Sequence, residues 1–185
     1  RDPNTERLYW NKHLPVYLYL SPNPNGADAH LLKSESMPRY ATPFYFDTEG
    51  RNFMRTRWAV DPDTKKAIVP QKEVLWEVYA DGLAPQTHIK FQDEKGVMTT
   101  KRYLGVGSKF SLHASDAVSG VEVIYYSLNG EGFQKYEGTI NLTKEGRNEV
   151  RYCAEDHVGN REELHFFWVD MDVTAPTTQS EIMGV

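Results

Sequence analysis

The sequence has almost no cysteine: Cys153 is the only one among 185 residues, so no disulfide can form within the chain. It contains no run of about eighteen apolar residues and no basic-then-apolar amino terminus, so we expect neither a membrane-spanning segment nor an export signal of its own. A net charge of −5 without a basic patch argues against a nucleic-acid partner. The residues around Cys153 alternate as in a strand, which predicts a buried or half-buried structural thiol.

The sequence also lacks the spacings that carry catalysis. Its six histidines show no H-E-x-x-H or related ligand pattern, and there is no cysteine pair to hold zinc. No G-x-S-x-G motif is present. Its carboxylates in apolar runs alternate with hydrophobic neighbours, as solvent-facing strand positions do. We therefore predict that the chain is not an enzyme and that it needs no cofactor for chemistry.

What the sequence does contain is an internal repeat. The turn Glu49-Gly-Arg-Asn52 recurs as Glu145-Gly-Arg-Asn148, and Tyr40 and Tyr136 each stand nine residues before it. A second motif, D-x-x-A-P-x-T, begins at Asp81 and again at Asp172. A repeat of about 90 residues has the size of a whole domain. We predict two domains, residues 1–86 and 87–178, with 179–185 as a linker to a further segment of a longer protein.

Secondary structure is predicted to be all-β. Short runs rich in Tyr, Val, Ile, Phe and Thr alternate with Gly, Pro, Asn and Asp clusters, which is typical of a β-sandwich. For the second repeat the pattern predicts seven strands near 88–92, 109–114, 122–128, 133–136, 139–142, 148–155 and 163–170. The pair Asn129-Gly130 predicts a tight hairpin turn, because both residues tolerate positive φ.

The aromatic residues allow two interpretations. Trp58 and Trp76 share strand faces with aliphatic residues and are predicted to belong to the core. The run Phe166-Phe-Trp168-Val leaves no polar face on its strand, so we expect that strand to be covered on both sides, by the core and by another domain, a preceding segment or a partner. Phe166 and Trp168 are therefore candidate interaction residues. The alternative is that exposed aromatics form a platform on which sugar rings stack.

Several separated motifs of the second repeat occur together in a fixed order. They are Asp116-Ala-Val-Ser-Gly-Val121, Ile124-Tyr-Tyr-Ser-Leu-Asn-Gly130, Tyr152-Cys-Ala-Glu-Asp-His-Val-Gly-Asn160 and Asp172-Val-Thr-Ala-Pro176. This order resembles the bacterial immunoglobulin-like repeat, over about residues 108–177. The first repeat matches only in its Tyr40–Asn52 block, the following strand and the closing motif. The resemblance implies tandem immunoglobulin-like β-sandwiches of exported bacterial proteins, located at the cell surface, in the periplasm or outside the cell.

Loops of an immunoglobulin-like sandwich predict one further site. The loop after the second strand and the hairpin between the last two lie at the same end, so Asp116, Asp156 and Asn160 are expected to be neighbours. The linker with Asp81 is expected at the same end. Converging oxygen donors suit calcium, so these four residues are candidate ligands. The alternative is that the aspartates only hydrogen-bond loop backbone and cap turns.

Together these observations predict a non-catalytic spacer, stalk or adhesive module of a longer exported cell-envelope protein. Its expected partners are other domains of the same chain or cell-envelope proteins. The competing hypothesis is a carbohydrate- or matrix-binding accessory module of an enzyme or adhesin, with a glycan as partner. An exposed row of aromatic side chains on one face of a sandwich would favour this second hypothesis.

Overall fold

The protein is described from a computed structural model, which covers residues 2–31, 43–55, 63–64, 66, 75–92, 98–99 and 103–181. Within these residues there are fourteen β-strands and no helix, so the prediction of an all-β fold is confirmed. The chain forms two compact units. Unit 1 comprises Arg1–Leu83, Ala117–Ser119 and His157–Asn160, and unit 2 comprises Ala84–Asp116, Gly120–Asp156 and Arg161–Val185.

Unit 2 is a sandwich of two sheets. Its strands are β6 (Gln86–Gln92), β7 (Met98–Thr99), β8 (Tyr103–Gly105), β9 (Lys109–Ser115), β10 (Val121–Leu128), β11 (Gln134–Lys135), β12 (Ile140–Asn141), β13 (Gly146–Asp156) and β14 (His165–Asp172). One sheet has the order β12-β9-β6-β7 and the other β11-β10-β13-β14-β8. The long strands β6 and β9 thus share one sheet, and the last two strands, β13 and β14, share the other. This is the immunoglobulin-like arrangement.

Alternation along the strands builds the core of unit 2. On β13, Val150 and Tyr152 point into the core, and Val169 and Met171 of β14 belong to the same cluster. Cys153 is 2% exposed, so the prediction of a buried thiol is confirmed. The remaining buried members of this core are Phe91, Leu104, Phe110, Leu112 and Leu142. Such burial is the main stabilising contribution to a sandwich of this size.

The hairpin between β10 and β11 has the predicted turn. Asn129 and Gly130 have φ values of 51° and 79°, and the Glu131 amide donates to the Leu128 carbonyl at 2.9 Å. Positive φ at both central residues matches the twist of the flanking strands. All seven strands predicted for this repeat are present, with ends shifted by a few residues. The short strands β7 and β8 were not predicted.

Unit 1 contains a three-stranded sheet with a smaller core. Its strands are β1 (Tyr9–Asn11), β2 (Tyr19–Leu20), β3 (His30–Leu31), β4 (Gly50–Arg55) and β5 (Leu75–Asp81). The sheet order is β1-β5-β4, while β2 and β3 form a separate hairpin. Phe46, Val78 and Ala80 are the buried apolar residues of the described part of this unit.

The three strands of the sheet in unit 1 pair in the same way as three strands at one edge of a sheet in unit 2. In unit 1, β1 runs parallel to β5, which pairs antiparallel with β4. In unit 2, β8 runs parallel to β14, which pairs antiparallel with β13. Two unrelated sequences would not be expected to place the same E-G-R-N turn in the same strand arrangement, so this supports the internal repeat.

The prediction that Trp76 is a core residue is wrong. Its side chain is 51% exposed, and it lines an open cleft of unit 1 together with Leu18 and Tyr19. Alternation places Trp76 on the same face as the buried Val78, but the small core of the unit ends before it reaches Trp76. Trp58 lies outside the described residues, so its predicted core position stays a prediction, and Tyr40 of the repeat lies outside them as well.

Two further predictions concern organisation. The chain passes from unit 1 to unit 2 between Leu83 and Ala84. That residues 1–86 and 87–178 fold as separate domains stays a prediction. In the part of the chain that the structure describes, no helix is long and apolar enough to cross a membrane.

Candidate functional site

The first candidate site is the group of acidic turns. Asp116 directly follows β9, and its Oδ1 accepts the Gly120 amide at 2.8 Å, which closes the D-x-x-S-G loop. Gly120 has a φ of 81°, a conformation that glycine adopts without strain. Asp156 ends β13 and is 1% exposed. A carboxylate oxygen of Asp116 and one of Asp156 lie within 4.8 Å, so the predicted proximity of these two residues is observed within unit 2.

The other two predicted ligands belong to unit 1. Asp81 is fully buried: its Oδ1 accepts the Leu83 amide at 3.2 Å, and its Oδ2 accepts the Ser119 amide at 2.9 Å. Its backbone carbonyl accepts the Asn160 side-chain amide at 3.0 Å. In turn, the Asn160 Oδ1 accepts the Asn11 side-chain amide at 3.0 Å. These groups hold the segments of unit 1 together through hydrogen bonds.

These contacts bear on the two hypotheses for the aspartates. Calcium takes six to eight oxygen ligands. Both carboxylate oxygens of Asp81 and one of Asp116 already accept backbone N–H groups, which is what the turn-capping alternative requires. The side-chain oxygens of the four candidate residues are hard donors, which is the type of ligand that calcium prefers. Calcium binding by Asp81, Asp116, Asp156 and Asn160 stays a prediction.

A buried carboxylate in unit 2 was missed by sequence reasoning. Glu162 accepts the amides of Ala154 at 2.7 Å and Thr87 at 3.0 Å, a short hydrogen bond from the Thr87 hydroxyl, and a contact from the His165 Nε2 at 3.2 Å. Its side chain is 6% exposed. Burial, with the Glu162 charge nearby, raises the pKa of Tyr152, which stacks on His165. The only sequence signal was the position of Glu162, two residues after the G-N of the hairpin.

A second structural feature closes each repeat. In unit 1 the Glu49 carboxylate accepts the Gly82 amide at 3.0 and 3.2 Å. In unit 2 the Glu145 carboxylate accepts the Val173 amide at 2.7 Å. The glutamate of each E-G-R-N turn thus binds the residue that follows the last strand. We call this arrangement the repeat-closing turn.

The repeat-closing turn has matching details in both units. Asp81 Oδ1 accepts the amide of Leu83, and Asp172 Oδ1 accepts that of Thr174 at 3.1 Å. Asn52 donates to the Thr48 and Gly50 carbonyls, as Asn148 does to those of Lys144 and Gly146. The glycines Gly50 and Gly146 have φ values of 80° and 81°. The sequence repeat therefore has the same hydrogen-bonding role in each unit.

The candidate interaction residues Phe166 and Trp168 lie on the outer side of β14. Phe166 is 65% and Trp168 48% exposed, whereas Val169 and Met171 on the other side of the strand are buried. Among the described residues, the expectation that both sides of this strand are covered is thus met only on the core side. Tyr103 is exposed on the adjacent β8, opposite Asp170 in the register, so it shares this face. Tyr103, Phe166 and Trp168 define the outer aromatic face.

Charged groups border the outer aromatic face. The Arg147 guanidinium lies 5.3 Å from the centre of the Trp168 ring and 3.9 Å from the Asp170 carboxylate. On the same strand, Arg151 donates to the Glu149 carboxylate at 2.6 Å. Exposed aromatic side chains and arginine are enriched at surfaces that bind partners.

The described residues include one hydroxyl–imidazole contact of the kind found in nucleophilic enzymes. Ser111 and His113 are hydrogen-bonded at 3.1 Å on β9. Both lie on one side of the same strand, as residues two apart do, and the contact is exposed. No acidic side chain that orients His113 is described. The pair is accounted for by strand geometry, and the absence of enzymatic activity stays a prediction.

Comparisons with known proteins give little that bears on function. No protein-family model matches the chain, and no curated protein matches it. Among solved structures, it is similar to a structure titled "Structures of Clostridium thermocellum CbhA fibronectin(III)-like modules". The identity is 14%, the alignment covers 95% of each chain, and the TM-score is 0.42. A likeness this distant shows neither the function nor the partners of this chain.

Proposed function

We propose that this protein is a non-catalytic structural module of two tandem immunoglobulin-like repeats, acting as a spacer or stalk within a longer exported bacterial cell-envelope protein. The observation that carries the proposal is the repeat-closing turn, which occurs with the same hydrogen bonds at Glu49 and at Glu145. A turn that fixes the exit of the chain from each repeat is useful where repeats are joined in series. The sequence resemblance to bacterial immunoglobulin-like repeats supports the exported location.

The strand pairing supports a role in bearing tension. In unit 2, β8 lies near the beginning and is parallel to the last strand, β14; in unit 1, β1 has the same relation to β5. When the ends of a repeat are pulled apart, a parallel pair of this kind is loaded along the strands. Its hydrogen bonds then resist together instead of opening one at a time. A spacer in the cell envelope benefits from such resistance.

Single-molecule force spectroscopy on the whole chain tests this function. We expect two separate unfolding steps, each releasing about 300 Å of chain, since a repeat of roughly 90 residues extends about 3.3–3.6 Å per residue. Tyr103→Pro removes a backbone N–H from β8 and should lower the force of one step. Lys135→Pro, in the short edge strand β11, is the matched control and should leave the forces unchanged.

Extension without force peaks would contradict the spacer function. Equal effects of the two proline substitutions would contradict the role of the β8–β14 pair. Circular dichroism of both variants, recorded without force, establishes beforehand that each is folded.

The outer aromatic face favours a second candidate function, the binding of a glycan. Rings exposed on neighbouring strands of one sheet provide flat apolar surfaces for the faces of sugar rings, and Arg147 and Asp170 beside them can donate to and accept from sugar hydroxyls. This is the feature that distinguished the two hypotheses raised from the sequence. Its occurrence in unit 2 supports the binding of a carbohydrate or matrix component.

Titration calorimetry with a panel of soluble oligosaccharides tests this second function. We expect measurable binding by the whole chain, loss of binding in Trp168→Ala, and retention in Trp76→Ala. Trp76 is the matched control because it is exposed to a similar extent but lies in unit 1. Absence of heat with every glycan, or an equal loss in both variants, would rule this function out.

A further inference from the structure

The two repeat-closing turns differ in how far they are covered. Asp81 is 0% exposed, whereas the equivalent Asp172 is exposed. The prolines of the two D-x-x-A-P motifs show the same contrast: Pro85 is fully buried and Pro176 is exposed. The local hydrogen bonds of the two turns are nevertheless the same.

The groups that cover Asp81 are identified in unit 1. The Ser119 amide donates to the second carboxylate oxygen of Asp81, and the Asn160 side chain donates to its carbonyl. Ser119 belongs to the S-G pair that precedes β10, and Asn160 to the G-N pair that follows β13. Both pairs belong to the motifs that define the second repeat in the sequence.

The corresponding acceptors of unit 2 are in place. Asp172 Oδ1 is held by the Thr174 amide at 3.1 Å, which fixes the orientation of the carboxylate. Gly105 of β8 is paired with Asp172 in the strand register, as Asn11 of β1 is paired with Asp81. A Cβ atom added to Gly105 would meet nothing within 4 Å, so there is open space beside the turn.

From this equivalence we infer that the Asp172 end of unit 2 is a docking surface for a further repeat of the same kind. The second carboxylate oxygen of Asp172 accepts the backbone amide of the S-G loop of that repeat. The Asp172 carbonyl accepts the side-chain amide of its G-N loop. This inference rests on the proposed function, because a tandem array is what brings such a repeat to Asp172.

The Asp81 turn shows the kind of partner that this end accepts. An exposed carboxylate that is already oriented by its own turn is suited to a neutral N–H donor at a fixed distance, and the Asp81 turn shows the geometry of such a contact. Burial of Asp172 without such a donor would be costly, because an unpaired buried charge is strongly destabilising. The Asp172 end therefore selects for loops that bring N–H groups to it.

A three-repeat protein tests the inference. Residues 1–176 are followed by a second copy of residues 86–181, and hydrogen exchange is measured at the Ser119 amide of the added copy, resolved by segmental labelling. We expect Asp172→Ala to accelerate this exchange about tenfold or more, since it removes a charge-assisted hydrogen bond. Asp170→Ala is the matched control, because Asp170 lies two residues before Asp172 on the same side of β14. It should change the rate by less than about twofold.

The original 185-residue chain provides a second control. There, Asp172→Ala should leave the melting temperature unchanged within about 1 °C, because Asp172 is exposed and no further repeat has been added next to it. An equal exchange rate of the added Ser119 amide with and without Asp172 would overturn the inference. So would unprotected core amides at Val150 of the added copy, since the added repeat would then not fold in this position.

These outcomes are separable from failure of the spacer function. The force measurement uses the original chain, in which Asp172 has no added partner. If that chain yields without force peaks while the added Ser119 amide is protected by Asp172, the docking surface stands and the tension-bearing role does not.

Discussion

Asn52 and Asn148 make equivalent hydrogen bonds in the two E-G-R-N turns, but their surroundings differ. Asn148 is 1% exposed: it donates to the Lys144 and Gly146 carbonyls and accepts from the Asn129 side chain at 3.0 Å. Asn52 makes the first two of these contacts from a half-buried position. The burial of the polar groups left behind sets the cost of removing each side chain.

We therefore expect Asn148→Ala to lower the free energy of unfolding by about 2–3 kcal/mol, because the buried Asn148 side chain is the partner of two part-buried carbonyls and of the Asn129 side-chain amide. Asn52→Ala should cost about 1 kcal/mol, since water replaces the lost donor at that turn. Urea denaturation of both variants measures the difference. Asn141→Ala, on an exposed strand position, is the control; a cost for Asn148→Ala no greater than for this control would contradict the account.

Glu77 gives a prediction for acid. Its carboxylate accepts the Tyr79 hydroxyl and the Arg51 guanidinium, each at 2.6 Å, and these contacts lower the pKa of Glu77 below its ordinary value of 4.5. A lowered folded-state pKa means that the contribution of Glu77 to stability is complete above pH 4.5. It is lost as the pH falls through the folded-state pKa.

An NMR titration of the Glu77 carboxyl checks this prediction. Tyr79→Phe removes the hydrogen bond that lowers the pKa of Glu77 most, so this pKa should rise towards 4.5 in that variant. Tyr9→Phe is the control. The Tyr9 ring packs beside the Tyr79 ring, and the described contacts include no hydrogen bond from Tyr9 to Glu77. A Glu77 pKa at or above its ordinary value in the unmodified chain would contradict the described hydrogen bonds.

At the scale of elements, the tight turns depend on glycines with positive φ. Gly146 begins β13 with a φ of 81°, and an added Cβ would meet no atom within 4 Å. Gly146→Ala should therefore cost about 1–2 kcal/mol from backbone strain alone. Gly105→Ala is the matched control, because its surroundings are equally open and its φ is not positive.

Thermal or urea unfolding measures the two glycine variants side by side. We expect Gly146→Ala to be destabilised and Gly105→Ala to be neutral or slightly stabilised, since the alanine restricts the unfolded chain. Equal stabilities of the two variants would show that the turn relaxes without the left-handed conformation.

Most strands of unit 2 could be predicted because alternation of apolar residues over five or more positions is a local signal. The strand β8 has three residues, and its parallel partner β14 lies far along the sequence, so no local pattern indicated it. Trp76 shows a second limit: alternation gives the face of a side chain but not how far a core extends along the strand. Glu162 was missed because a buried carboxylate is recognisable only once its amide donors are placed.

At the scale of the whole molecule, calcium remains a separate prediction. If Asp116 and Asp156 bind the ion, millimolar calcium should raise the melting temperature, because a ligand of the folded form stabilises it by mass action. The rise should vanish in the double variant Asp116→Asn/Asp156→Asn. Equal melting temperatures in calcium and in chelator would leave turn capping as the role of these carboxylates.

The candidate sites could be predicted from the sequence only in part. The proximity of Asp116 and Asp156 followed from the order of strands in an immunoglobulin-like sandwich, so it was predictable from motif order. The outer aromatic face required the register of β8 against β14, which places Tyr103 beside Phe166 and Trp168. Long-range register was not encoded in any single motif.

The central claim is that the chain consists of two repeats, each a folding module. The most direct measurement is to express residues 1–86 and 87–178 separately and to record circular dichroism and cooperative thermal unfolding of each, with the whole chain as control. We expect β-rich spectra and cooperative transitions for both fragments, and lower stability for 1–86, which lacks the Ser119 and Asn160 donors to Asp81. If both fragments stayed unfolded while the whole chain folded, the claim that each repeat is a module would be wrong.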